Sequence, residues 1–191
     1  LLAAIPLFIF MASMLEKSGV IEEVFDVAYK WLGRIPGGLA VATVVASTVL
    51  AAMVGVIGAA VVTMALVALP SMLRRGYSPV LAVGTVMAGG TLGILIPPSV
   101  LAIVYGLVAN QSVGELYLGS VFPGLVLSGL YILFSVGYAL LNPKAAPRLS
   151  PEETPTWSER WRALRSIWSP LVLIFLVLGT IFLGLAAPTE A

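Results

Sequence analysis

Apolar and polar positions divide the chain into long apolar segments separated by shorter polar ones. Residues 1–15 are almost wholly apolar, and residues 117–141 and 170–187 are apolar runs of similar character. A helix needs about 20 such residues to cross the hydrocarbon core of a bilayer. These three segments are therefore predicted to be transmembrane helices, the first of them truncated at its start.

Residues 16–36 have the pattern of an amphipathic helix. Eight apolar side chains recur at helical spacing, and the acidic residues and Lys30 lie away from them. The apolar positions are Val20, Ile21, Val24, Phe25, Val27, Ala28, Trp31 and Leu32. The pattern predicts an arm helix at the membrane interface. A connector that faces water is the alternative.

Residues 37–75 are apolar with a glycine-bearing centre, MVGVIG at 53–58, and end at the basic pair Arg74 and Arg75. Two full spans joined by a tight turn, or one re-entrant helical hairpin, would both fit. A turn that emerges into water usually carries Asn, Asp, Ser or charge, and this centre carries none. Irregular backbone is tolerated at membrane depth where it is buried or lines a cavity. We therefore favour the re-entrant hairpin.

Residues 78–110 are too long for one straight helix and are interrupted by the run GGTLGILIPPS at 89–99. Glycines loosen a helix, and Pro97 and Pro98 remove two backbone donors in succession. We expect the helix to stop near Gly90 and to restart near Pro98. Each half would then be about 18 Å long, which predicts a transmembrane helix broken near the membrane midplane.

Residues 142–169 form a polar connector rich in proline and arginine. Trp157, Trp161 and Trp168 suggest a surface-lying piece with an aromatic belt. If the hairpin returns to the side it left, all ten Lys and Arg residues lie on one face, and the opposite loop at 111–116 has none. The positive-inside rule makes the basic face cytoplasmic, including Arg74, Arg75 and the 142–169 loop. Two full spans in place of the hairpin would give the same sidedness.

Composition places the chain in the membrane and excludes several chemistries. Of 191 residues, 60% are hydrophobic and 10% are charged, whereas soluble domains carry about 25% charged residues. The net charge of +1, without a basic block, predicts no nucleic-acid partner. The chain has no cysteine and no histidine, so we expect no disulfide, no thiol or imidazole catalysis and no transition-metal site.

No Asp, Glu, Lys, Arg or His lies inside any predicted hydrophobic segment. An intramembrane enzyme would need such groups, so we expect no enzyme and no catalytic residue. Binding must then come from backbone groups and hydroxyls. Discontinuous helices expose carbonyls to a cation and amides to an anion, and oxygen ligands suit sodium.

The candidate ligands lie at the hairpin tip and in the interruption of the broken helix. Candidate cation-binding residues are Gly55, Val56, Gly58, Gly89, Gly90, Thr91 and Gly93. Candidate substrate-binding residues are Gly58, Ala59, Pro97, Pro98 and Ser99.

Three runs carry a family resemblance: GVIGAAVVTM at 55–64, LPSMLRRGY at 69–77 and, most specifically, AGGTLGILIPPS at 88–99. Further matches lie at 6–11, 15–19, 36–40, 179–184 and 187–191. The chain resembles the large permease (M) subunit of TRAP-type tripartite secondary transporters over essentially its whole length. The resemblance is weakest over 142–168.

The resemblance implies an elevator-type carrier of the ion-transporter superfamily in the bacterial inner membrane. It implies uptake of a small organic acid, such as a C4-dicarboxylate, with sodium as coupling ion and no other cofactor. Its partners would be a small membrane subunit and a periplasmic solute-binding protein. The complete subunit should contain two inverted repeats, and the PPS signature occurs once here, so the chain looks like a fragment covering roughly the first repeat.

One departure from the family concerns the hairpin tip. Many members carry serines there, whereas this chain has VGVIG at 54–58, so backbone carbonyls would have to bind the cation. A different class of function, a non-transporting scaffold or anchor subunit, would also explain the apolar spans. It leaves the two successive interruptions without a purpose. A channel is a further alternative, but the chain offers no ring of charged residues.

Overall fold

The computed structural model of the chain describes residues 4–55, 57–147 and 156–182, and all regular structure in these ranges is α-helical. The helices are α1 (Ala4–Lys17), α2 (Val20–Leu32), α3 (Gly38–Val54), α4 (Ile57–Arg74), α5 (Pro79–Leu95), α6 (Val100–Ala109), α7 (Val113–Leu141), α8 (Trp157–Ser166) and α9 (Trp168–Phe182). Within the described residues, α4 and α7 are each long and apolar enough to cross a membrane, and α5 with α6 forms a bent pair that passes the same test. The all-α membrane fold predicted from the sequence is confirmed.

Helices α3, α4 and α5 pack together around the main apolar core, which includes Leu50, Met64 and Val86. Small residues of α3, among them Ala42 and Ala46, are fully buried and allow close approach of its neighbours. The end of the hairpin that carries Arg74 and Arg75 is called the basic end. There the amide of Leu39 donates to the hydroxyl of Tyr77, with 3.3 Å between N and O. The α3–α4 hairpin therefore returns to the end from which it starts.

Helix α2 is shorter than the predicted arm, and its apolar stripe is covered by protein. Ile21, Val24 and Phe25 are buried in the main core, where α2 packs against α3. The stripe thus does not face lipid, because the adjacent apolar helix α3 offers it a partner within the fold. A position of α2 at the membrane surface stays a prediction.

The broken helix differs from the sequence prediction. Helix α5 continues through Gly89, Gly90 and Gly93 to Leu95, α6 restarts at Val100, and the two are bent by 41°. The halves are unequal, about 25 Å and about 15 Å at 1.5 Å per residue. A helix interior tolerates glycine at a cost of about 1 kcal/mol, whereas proline costs about 3 kcal/mol, so the proline pair alone decides where the helix ends.

Helix α7 begins at Val113, four residues earlier than predicted, because Ser112 caps it. The Ser112 hydroxyl accepts from the Glu115 amide, with 3.4 Å between O and N. Glu115 therefore lies in the first helical turn and not in a loop. Helix α9 likewise begins at Trp168 instead of residue 170. The predicted positions 1–3, 148–155 and 183–187 lie outside the described residues.

Part of the 142–169 connector is helical. In α8, Trp157 and Trp161 meet Trp31 of α2 edge-on, with ring centroids 6.3 and 6.4 Å apart. Trp157 and Trp161 remain largely exposed, as is Trp168 at the start of α9.

Arg75 and Lys144, which lie far apart in the sequence, are at the same end of the molecule. Arg75 lies over the ring of Tyr29 of α2, 4.8 Å from its centroid. The amide of Ser78 donates to the carbonyl of Ala145, which places the residues after α7 beside the start of α5. The α6–α7 connection, residues 110–112, lies at the opposite end and carries no charge.

Candidate functional site

The hairpin tip and the helix break meet. The amide of Val100 donates to the carbonyl of Gly55, with 3.3 Å between N and O. A methyl group at Gly55 would overlap the carbonyl oxygen of Pro98. We call Gly55 together with residues 97–100 the junction. The two interruptions that the sequence singles out are thus in direct contact.

Local sequence explains the shape of both sides of the junction. Gly55 has φ +62°, the left-handed conformation typical of a helix C-cap, and its amide closes the last turn of α3 on Ala51. Opposite it, Ser99 is extended, with φ −121° and ψ 123°, and α6 begins one residue later. Each interruption therefore presents a helix C-terminus followed closely by a helix N-terminus.

The proline pair leaves two carbonyls of α5 without their regular helical donors. The carbonyls of Gly93 and Ile94 would bond to the amides of residues 97 and 98 in a continued helix, and proline has no amide hydrogen. These oxygens lie at the C-terminal end of α5, where the helix dipole is negative. Ile94 is absent from the sequence-based candidates. Its position four residues before Pro98 is the signal that identifies it.

Gly89 and Gly90 have a different role from the predicted one. Both are buried inside α5, where a methyl group on Gly89 would overlap Ser47 of α3 and one on Gly90 would overlap Val61 of α4. They allow the helix to pack against the hairpin. Since they lie within a regular helix, their carbonyls are not exposed by unwinding, and the predicted unwound stretch at 89–93 is wrong.

Thr91 is not at the junction. Its hydroxyl donates to the Ala88 carbonyl of its own helix, with 2.7 Å between the oxygens, and lies 3.3 Å from the hydroxyl of Tyr131 on α7. Its side chain is exposed. One residue after Gly90, Thr91 is rotated by about 100° around the helix and so leaves the face that packs on the hairpin.

The candidate substrate residues divide between two helix starts. Gly58 and Ala59 lie in the first turn of α4, where amides lack helical acceptors, and Gly58 is exposed. Pro97, Pro98 and Ser99 are buried in the junction. Val56, a predicted cation ligand, lies outside the described residues.

Two buried hydroxyls at the junction and beside α5 have no hydrogen-bond partner among the described residues. Ser99 is 1% exposed and Ser47 is fully buried, and neither side-chain oxygen is bonded. A buried hydroxyl without a partner is costly, so these oxygens are available to a ligand.

Helix α7 borders the junction on its other side. A Cβ at Gly124 would lie 2.9 Å from the Ile96 side chain and 3.4 Å from that of Leu95. The hydroxyl of Tyr117 donates to the carbonyl of Ser99, with 3.2 Å between the oxygens. No sequence pattern reveals this bond.

The junction carries partial charges only. Residues 51–60 and 92–103 contain no ionisable side chain, and the described residues contain no cluster of acidic side chains that could hold a metal ion. Helix ends supply about half an elementary charge of each sign. Such a site suits a monovalent cation held by oxygens and an anion held by amides.

An apolar helical bundle in which a hairpin tip meets a mid-helix break defines a polytopic membrane protein of the transporter class. Residues 1–191 match the family described as Tripartite ATP-independent periplasmic transporter, DctM component. The chain belongs to this family, as the resemblance predicts.

Known relatives are similar over the whole chain. This chain is 37% identical over 190 residues to the C4-dicarboxylate TRAP transporter large permease protein of Vibrio cholerae and 38% identical to that of Pseudomonas aeruginosa. It is 32% identical to the ectoine TRAP transporter large permease protein of Halomonas elongata. These alignments cover 100% of this chain but 41%, 43% and 43% of the relatives, so the chain spans about two-fifths of their length.

Proposed function

We propose that this chain forms one half of the transport machinery of a sodium-coupled, binding-protein-dependent permease of the inner membrane. The observation that carries the proposal is the junction, where the ends of α3 and α5 and the starts of α4 and α6 come together without any ionised side chain. A scaffold subunit would have no need for such paired interruptions.

Within the junction we assign the cation to carbonyls and the solute to amides. Gly93, Ile94 and the last residues of α3 supply carbonyl oxygens at negative helix ends. The first turns of α4 and α6, with the Ser99 hydroxyl, supply donors for a carboxylate or sulfonate. Relatives are named for C4-dicarboxylate, ectoine, isethionate and sialic acid, all compounds with an acidic group. A small organic acid is therefore the proposed solute class.

The proposed hairpin is re-entrant. Helices α4 and α5 run from the basic end to the junction over about 27 and 25 Å, and α6 continues for about 15 Å beyond it. The hairpin tip thus ends short of the far end of α6. We propose that Arg74, Arg75 and the 142–169 loop are cytoplasmic, that the junction moves in an elevator-type cycle, and that a small membrane subunit and a periplasmic binding protein complete the system.

Sodium replacement tests this proposal. The complete permease, with its partner subunits, is reconstituted in proteoliposomes, and uptake of labelled succinate, ectoine, isethionate and sialic acid is measured in sodium and in choline. We expect uptake of one of them to fall at least about tenfold in choline. A tenfold fall corresponds to a coupling free energy of about 1.4 kcal/mol between sodium and the solute. Equal uptake in the two salts would refute the sodium coupling.

A further inference from the structure

The Ser99–Val100 peptide group is held from two sides. Its carbonyl accepts the hydroxyl of Tyr117, and its amide donates to the carbonyl of Gly55. A peptide group is a rigid plane, so fixing the direction of the carbonyl also fixes the direction of the amide hydrogen. Tyr117 and Gly55 therefore form hydrogen bonds to opposite edges of the same peptide plane.

Tyr117 is itself fully buried. Its side chain is 0% exposed and packs in a second core with Ile103, Val113 and Ile181 from α6, α7 and α9. Only the hydroxyl reaches the junction. The tyrosine thus connects a packed core outside the hairpin to the point where the hairpin tip is held.

The bond also determines which oxygens can bind a cation. The Ser99 carbonyl receives two donors, the Tyr117 hydroxyl and the Ile103 amide, the latter at 3.3 Å. It has no lone pair left for an ion. Carbonyls without regular donors remain at Gly93 and Ile94, on the α5 side of the junction.

We propose that Tyr117 is a positioning residue, which clamps the Ser99–Val100 peptide group against Gly55 and thereby sets the affinity of the junction for sodium. This inference rests on the proposed sodium-coupled function. Loss of the hydroxyl removes one of the two donors to the Ser99 carbonyl, so the peptide group is held less firmly and the distance between the hairpin tip and the carbonyls of α5 is less well fixed.

Tyr117→Phe removes the single oxygen atom and keeps the ring in its core. The complete permease is purified with its partner membrane subunit, and its thermal unfolding midpoint is followed as sodium chloride replaces choline chloride at constant ionic strength. Ligand binding to the folded state raises this midpoint. We expect the half-saturating sodium concentration to rise about tenfold, which corresponds to about 1.4 kcal/mol and is the size of effect that one buried hydrogen bond supplies.

Two further variants separate positioning from packing. Val113→Ala removes core contacts beside Tyr117 without touching the hydroxyl, so it should lower the midpoint in both salts and leave the half-saturating sodium concentration unchanged. Val100→Pro removes the amide that donates to Gly55. Position 100 is the first residue of α6, where a helix accepts proline. Ser99 is extended, which is the conformation that a residue before proline prefers. It should weaken sodium binding as Tyr117→Phe does, and the double variant should be no worse than either single one.

The outcomes distinguish failure of the sodium coupling from failure of the positioning role of Tyr117. If wild-type protein shows no sodium-specific shift, the proposed sodium coupling fails and this inference falls with it. If wild-type protein responds but Tyr117→Phe lowers only the midpoint, Tyr117 is merely structural and this inference alone fails. Additive effects in the double variant would refute the route through Gly55. If Tyr117→Phe does not yield folded protein, an unchanged half-saturating sodium concentration in Val100→Pro overturns the clamp.

Discussion

At the residue scale, glycine positions decide which backbones can touch. Gly55 combines two separate requirements, a left-handed φ of +62° and contact with the carbonyl of Pro98. Gly90 has ordinary helical geometry and is required only because Val61 lies against it. The same residue type thus serves a turn in one place and helix packing in the other.

Gly55→Ala tests the turn and the contact together. We expect uptake by the complete transporter to fall more than about tenfold, because left-handed alanine costs about 1–2 kcal/mol before any steric overlap is added. Gly129→Ala in α7 is the matched control. Apart from its chain neighbours and its own helix backbone, no atom lies within 4 Å of the added methyl group, so uptake should persist. Equal activity of the two variants would contradict the close contact at the junction.

Gly90→Ala tests helix packing through compensation. The added methyl group overlaps the Val61 side chain, so we expect a loss of about 1–3 kcal/mol in unfolding free energy, as for other overpacked sites. Val61→Ala removes the Cγ2 atom that the added methyl group would overlap. Thermal unfolding should therefore show the double variant to be more stable than Gly90→Ala alone. If the second substitution brings no recovery, α4 and α5 do not pack here as described.

At the element scale, α8 has its own stabilising device. The amide of Thr156 donates to the carboxylate of Glu159, with 2.8 Å between N and O, in a capping box. This backbone hydrogen bond, helped by the Thr156 side chain, lowers the pKa of Glu159 below its usual range. Since the folded pKa is lowered, the cap stabilises α8 above pH of about 4.5, and this contribution is lost as the pH falls through the lowered value.

The pH dependence of α8 follows from the lowered pKa of Glu159. Amide hydrogen exchange of residues 157–166 should quicken on acidification below pH of about 4.5, after correction for intrinsic rates. Glutamine also accepts from an N-cap amide but does not titrate. Glu159→Gln should therefore abolish this pH dependence while α8 stays formed. An unchanged acid response in Glu159→Gln would assign the effect to another group.

At the scale of the whole molecule, the arrangement of charge predicts an orientation. Basic residues gather at the end that contains Arg75 and the residues after α7, whereas the α6–α7 connection is uncharged. The chain has no cysteine, so single cysteines introduced here are readily followed. Gln111 and Lys144 are both exposed and lie at opposite ends.

Cysteine labelling in cells checks this orientation in the complete permease, with any other cysteines replaced by serine. An impermeant maleimide should label Gln111→Cys in intact spheroplasts and Lys144→Cys only after permeabilisation. The reverse pattern would refute the cytoplasmic assignment of the basic end. Labelling of both from the same side would refute a single crossing by α7, the helix between the two positions.

Sequence alone determined the fold class, the resemblance to the family and the existence of both interruptions. Apolar runs can bury their backbone in lipid only as helices, and the proline pair at 97–98 removes the donors that a continued helix needs. The end of α5 was misplaced, because glycine weakens a helix in isolation but is favoured where Ser47 and Val61 approach closely. The apolar stripe of α2 likewise does not specify whether lipid or α3 covers it.

Only the tertiary structure decided which groups share the site. Thr91 and Gly90 are adjacent in sequence, yet helical rotation takes the Thr91 hydroxyl to Tyr131 and away from the hairpin. Tyr117 lies 18 residues from Ser99, and their hydrogen bond depends on the packing of α6 against α7. Local patterns specify where a helix must start and stop, since that depends on neighbouring residues. Which distant backbone groups meet is settled by the packing of complete helices.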